Sequence, residues 1–258
     1  MPALTAEEVT RYQQDGIVIP KVGLDATTVA ELRTKLDSFL AEQKITDADY
    51  VPDIIERDPS WLRYGVMPEI LDAVAQLIGE DIIIWGSALF CKAGKGGKAT
   101  PWHQDGQYWP IRPLATCTVW IALDPSNVAN GCLRLIPGSH RDRTLLPHMT
   151  EARSDVVLTQ RADDAGFDAS TAVDIELEPG QMSLHDVYAI HGSNPNRSPQ
   201  RRAGVAIRYM PATSLFARDL IKTSAASGYK VDFSTRPIWL VAGQDRTGQN
   251  DFRVGHKN

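Results

Sequence analysis

The chain has 258 residues, 43% of them hydrophobic and 23% charged, and a formal net charge of −5, so it carries no basic footprint for nucleic acid. No apolar run reaches the ~20 residues that span a bilayer, and Met1 to Gln13 has acidic residues but no apolar signal-peptide core, so a cytoplasmic protein without a membrane partner is expected. Cys91, Cys117 and Cys132 are widely spaced with no CxxC, which points to reduced thiols rather than a disulfide framework or zinc knuckle.

In chain order, Thr5-Ala6-Glu7-Glu8 is a capping-box pattern that opens a short helix ending near Gly16. Ile17 to Ile19 reads as a short strand stopped by Pro20. Thr27 to Gln43 carries Val29, Leu32, Leu36 and Leu40 at helical spacing, and Pro68 to Ile78 is a third helix with proline in its first turn and Gly79 just past its end. After residue 80 the period changes. Asp81 to Cys91 is β-rich, 94–100 is a loop bearing glycine and lysine, and Thr116 to Leu123 alternates as a strand. Asn130-Gly131 signals a hairpin before a strand from Cys132 to Ile136. Residues 141–170 are polar and weakly periodic, an excursion from the sheet. Ala172 to Leu177, Gln181 to Ile190 and Arg202 to Met210 complete the strands. Helices first and many short strands after predict an all-β core with flanking helices (α+β), an antiparallel barrel or jelly roll in a single domain spanning 1–258. The N-terminal helices take 1–80, the core about 81–212, and an extension 213–258, whose Arg236 to Phe252 is expected to be a lid or an oligomer contact.

His103-Gln104-Asp105 is the chemistry-bearing motif. Alternation along a strand end sets both side chains on one face. Two imidazoles and a carboxylate would leave open positions on an octahedral iron for other ligands. His140-Arg141-Asp142 repeats the spacing. It follows the turn Pro137-Gly138-Ser139 and runs into charges, whereas His103 lies in the aromatic, polar stretch Trp102 to Trp109, which suits a pocket mouth. The third ligand is expected from His185 or His191. His191 stands at a strand end before Gly192-Ser193; His185 sits deeper in its strand and is expected to pack.

The series His103-Gln104-Asp105, Tyr108, Pro110, Arg112-Pro113, Trp120, Asn130-Gly131-Cys132-Leu133, Pro137-Gly138-Ser139-His140, His191-Gly192-Ser193 and Arg202 resembles the phytanoyl-CoA dioxygenase family over about residues 10–212. The resemblance implies a double-stranded β-helix (a cupin-like jelly roll) and a dioxygenase using Fe(II), 2-oxoglutarate and O2, with His103, Asp105 and His191 as metal ligands. It also implies that Arg202, eleven residues past His191, holds the distal carboxylate of 2-oxoglutarate, that Ser193 adds a hydroxyl, and that Trp120 lines the same pocket, one residue closer to the first ligand than in relatives. Halogenating relatives carry a small residue in place of Asp105, so hydroxylation or another C–H oxidation is implied, with release of succinate and CO2. Arg208 shares the strand parity of Arg202, so alternation by itself does not choose between them.

The partner expected is a small organic molecule, such as a metabolite, a natural-product intermediate or a phosphonate-type acid, and the chain is expected to act as a monomer or homodimer. Gln107, Tyr108 and Trp109 are expected to line the substrate pocket. Arg112, Lys92, Lys95 and Lys98 are candidates to meet an anionic group, although a solvated loop is the stronger reading for each lysine. A cupin-like metalloenzyme without 2-oxoglutarate would not need Arg202. A non-catalytic ligand-binding jelly roll would leave the triad and Arg202 as coincidence.

Overall fold

A computed structural model describes residues 2–219, 222–223, 230–231 and 233–256. Thr5 caps helix α1 (Ala6–Asp15) through a complete capping box with Glu8, and Gly16 ends it in the left-handed region. Helix α2 (Ala26–Glu42) is capped by Asp25, and α3 (Pro68–Ile78) has the bounds its sequence predicts. Leu32 and Leu36 of α2 and Ile70 and Val74 of α3 are wholly buried, so the helices exist by docking their apolar stripes rather than by propensity.

They dock on the outer face of a large antiparallel sheet. Its strands are β1 (Ile17–Val18), β2 (Val51–Pro52), β3 (Ile82–Lys92), β5 (Cys117–Ala122), β8 (Met182–Asp186), β10 (Arg202–Pro211) and β11 (Trp239–Ala242). They run β1-β8-β5-β10-β3-β11, with β2 also paired to β3. A smaller sheet faces it, in the order β7 (Val173–Ile175), β6 (Leu133–Leu135), β9 (His191–Ser193), β4 (Thr100–His103). The two sheets form the double-stranded β-helix.

Period-two alternation decides what each strand offers to either side. Along β10, Ala203, Val205, Ile207 and Tyr209 enter the helix-side core, while Arg202, Ala206 and Arg208 face the space between the sheets. On β5, Val119 and Ile121 pack outward, and Thr118 and Trp120 inward. Gly204 is inward-facing too. A Cβ there would meet the Trp120 ring at 2.1 Å, so glycine makes room for the indole. Gly204→Ala is expected to displace Trp120 and to cost about 1–3 kcal/mol as overpacking. The urea midpoint measures this, and an unchanged midpoint contradicts it.

Three local expectations are corrected. Asn130-Gly131 is not a two-residue hairpin: Val128–Asn130 is a 3-10 turn capped reciprocally by Asn127, and it carries the chain from the large sheet to the small one. The strand expected over Gln181 to Ile190 ends at Asp186, and the chain crosses sheets before restarting at His191. Within 141–170, His148–Thr150 pairs with Gln160–Ala162 as a small antiparallel ladder. Part of the stretch from Arg236 to Phe252, expected to be a lid or an oligomer contact, is a strand: Trp239–Ala242 extends the large sheet beside β3. Among the described residues, no helix is long and apolar enough to cross a membrane.

Candidate metal centre

Strand β9 pairs with β4 so that His191 and His103 are register partners, which joins residues far apart in sequence. Asp105 begins a 3-10 turn just past β4, so the turn, rather than strand alternation, brings its carboxylate back beside His103. His103, Asp105 and His191 are all buried, and one ligand atom from each lies within 4.8 Å of the others. His103 Nε2 is 3.5 Å from Asp105 Oδ1.

The unused ring nitrogens define the tautomers. His103 Nδ1 lies 2.9 Å from the Pro101 carbonyl, and His191 Nδ1 lies 3.0 Å from that of Ala189. A carbonyl only accepts, so both Nδ1 atoms carry hydrogen and both Nε2 lone pairs point to the shared space, as metal-ligating histidines require. Burial and the neighbouring His103 push His191 well below its ordinary range, which keeps it neutral. Burial also pushes the Asp105 carboxyl up, but His103 and His185 beside it outweigh that and hold it well below the usual carboxylate range. The donor set therefore fits a divalent metal: two imidazoles, each with a ring nitrogen toward the shared space, and one ionised carboxylate.

His185 does not simply pack. Neither ring nitrogen makes a hydrogen bond of normal length, and Nε2 sits 3.6 Å from Asp105 Oδ2 at the cavity wall. The rival His140 is spent elsewhere: its ring packs against Gly16 and its Nε2 meets the Gln13 carbonyl at 3.2 Å.

The triad opens onto a cavity of about 440 Å³ between the sheets. Arg202 lies in it, 3% exposed, with its guanidinium 5.2 Å from the Trp120 ring. Arg202 Nη2 donates to the Gly131 carbonyl at 2.7 Å, and Nε has no acceptor. Gly131 is needed for this: its φ is +77°, and a Cβ would strike the Asn194 carbonyl at 2.3 Å. Lys92, expected in a solvated loop, ends β3 at 1% exposure and donates to Ser193 Oγ at 2.7 Å. Burial, reinforced by the Arg202 charge, pushes Lys92 down to about 6, and burial pushes Arg202 down to about 10. Arg202 is thus a buried cation with little negative charge around it, and Lys92 beside it gives up its proton readily. Lys98, by contrast, pairs with Asp47, and Lys95 is exposed.

Tyr108 and Trp109 line the cavity as expected. Gln107 and Arg112 are not among its lining residues: the 3-10 turn over Asp105–Gln107 breaks the alternation, and Arg112 is exposed, donating to its neighbour's carbonyl. Arg208, the rival of Arg202 by parity, also lines the cavity, and so do Phe233 and Arg236, which carry no signal in the sequence because only the C-terminal return brings them there.

Two histidines and one carboxylate on a buried face, with an open cavity in front, are the arrangement of mononuclear non-haem iron(II) oxygenases. The chain belongs to the phytanoyl-CoA dioxygenase (PhyH) family, whose model matches residues 12–204. It is 26% identical to the peroxisomal phytanoyl-CoA dioxygenase of Bos taurus, over 95% of this chain and 83% of the bovine one. A probable phytanoyl-CoA dioxygenase of Caenorhabditis elegans is 34% identical over 59% of this chain, a match that spans about half (51%) of the nematode protein. Among solved structures, the apo form of the non-heme monooxygenase ThoJ superposes with a TM-score of 0.72 at 27% identity, covering 92% of this chain and 84% of the other. The non-heme α-ketoglutarate-dependent carbocyclase SnoK does so with a TM-score of 0.69 at 25% identity, covering 84% and 88%.

Proposed function

We propose that His103, Asp105 and His191 hold iron(II), and that 2-oxoglutarate lies with its distal carboxylate on Arg202 and Ser193 against Trp120. The chain would then be a dioxygenase that oxidises an unactivated C–H of a small organic substrate. The observation that carries this reading is the buried guanidinium of Arg202, with no acceptor at its Nε, in the cavity that holds the triad. A buried cation is costly unless an anion joins it. A guanidinium and a hydroxyl together match a carboxylate, with Arg202 supplying the fork geometry. A metalloenzyme without such a co-substrate has no use for that arrangement.

Iron(II), 2-oxoglutarate and O2 would supply the oxidising power, with succinate and CO2 released. The protein's own work is positioning and shielding. The Pro101 and Ala189 carbonyls fix the two imidazoles, Thr118 and His185 flank the Asp105 carboxylate, and Trp120 walls the co-substrate end. Asp105 occupies the place a halide would need, which supports hydroxylation or a related oxidation over halogenation. A screen of small organic acids and metabolites, read as iron-dependent succinate formation above the uncoupled background, tests the reading. Absence of any iron-dependent 2-oxoglutarate consumption, with or without added substrates, would sink it.

A further inference from the structure

The cavity contains a second buried guanidinium that 2-oxoglutarate does not account for. Arg208 is 8% exposed and lies on the same face of β10 as Arg202, six residues further along, or about 20 Å between Cα atoms at strand spacing. One keto acid anchored at Arg202 therefore does not use both.

The side chain of Arg208 is steered by a bulge. Opposite β10, the register of β3 skips Trp85, so Trp85 and Gly86 are neighbours on the cavity side. Arg208 runs across Gly86, where an added Cβ would sit 3.5 Å from its Cδ. Its guanidinium lies 5.9 Å from the Trp85 ring and 5.3 Å from that of Trp109. This is the β3 side; Thr118, the neighbour that touches Asp105, is on the β5 side. Arg208 thus leans away from the metal ligands and into an aromatic corner closed by Phe233.

Among the described residues that line the cavity, no acidic side chain is free for that corner. Arg208 Nε has no acceptor. Asp53 is taken by Arg236, and Asp105 by the histidines. Cation–π contact offsets only part of the cost of a buried charge. We infer that Arg208 receives the acidic group of the substrate, which makes the substrate an organic carboxylate whose apolar body lies among Trp85, Trp109 and Phe233. This inference rests on the 2-oxoglutarate reading above, since it needs Arg202 to be taken by the co-substrate.

Tryptophan emission of the anaerobic protein saturated with iron(II) and 2-oxoglutarate gives the test, because Trp85 and Trp109 flank the site. The probes are matched acid–amide pairs: phenylacetate with phenylacetamide, and octanoate with octanamide. The wild-type protein should bind the acids at least about tenfold more tightly than the amides, as expected for a hydrogen-bonded charge. Arg208→Gln should erase that preference while its 2-oxoglutarate absorption band keeps the same half-saturation, which also reports that the variant is folded. Equal binding of acids and amides by the wild-type protein overturns the inference, as does failure of both to bind. A shifted 2-oxoglutarate half-saturation in Arg208→Gln, with acid binding intact, overturns it in favour of a co-substrate contact. A wild-type protein with no 2-oxoglutarate band fails the earlier reading instead, and the two failures are thereby separated.

Discussion

His103→Ala is expected to abolish stoichiometric iron binding. The proposed site has three protein donors, and His103 is the register partner of His191 across β4 and β9, so its imidazole forms one corner of a small triangle. Losing it leaves one imidazole and one carboxylate, which is too little for a tight mononuclear site. Loss of partners that merely orient ligands costs 10–100-fold in metal affinity, so loss of a ligand should cost roughly 100-fold or more. His185 is a neighbour placed to compensate, at 3.6 Å from Asp105 Oδ2. It lies outside the set whose donor atoms converge, so it is expected not to rescue binding. Metal content after equilibrium dialysis against iron(II) measures the effect. Unchanged iron stoichiometry would remove the triad assignment.

The second large effect is expected from Arg202→Ala. Iron should remain bound, because Arg202 is not one of the converging donors. The 2-oxoglutarate requirement should rise steeply. Truncating one partner of a buried, charge-assisted pair costs about 2–5 kcal/mol, so affinity should fall by roughly 30-fold or more. Ser193 would be left holding the carboxylate, and Lys92, which donates to it, tends to give up its proton in that buried place. The half-saturating 2-oxoglutarate concentration reads the change. A normal value would shift the anchor to Arg208, the other buried guanidinium facing the cavity.

Much of this was legible in the sequence, for identifiable reasons. The three long helices announce themselves by caps and by apolar residues at helical spacing. The His-x-Asp motif was separable from its double at 140–142 by its aromatic setting, and the structure agrees in binding His140 to the α1 end instead. The resemblance supplied the distant His191 and the step to Arg202. What could not be read locally was created by pairing and by bends. Asp105 reaches the site through a 3-10 turn, which also removes Gln107 from the cavity lining. Lys92 was read as a loop lysine because nothing local shows that β3 continues through it. Arg208 had the right parity, but only the Trp85 bulge and the return of Phe233 reveal its aromatic corner. His185 appeared to be a packing residue because its strand alone does not show that its ring faces Asp105 across the gap between sheets.

The central claim is that one cavity joins an iron(II) site to a 2-oxoglutarate anchor. Anaerobic titration of the iron(II) protein with 2-oxoglutarate, followed by visible absorption, tests it most directly. A saturable metal-to-ligand band should appear in the wild-type protein, vanish in His103→Ala, and require far more 2-oxoglutarate in Arg202→Ala. A wild-type protein that binds iron(II) yet develops no band at any 2-oxoglutarate concentration would contradict it.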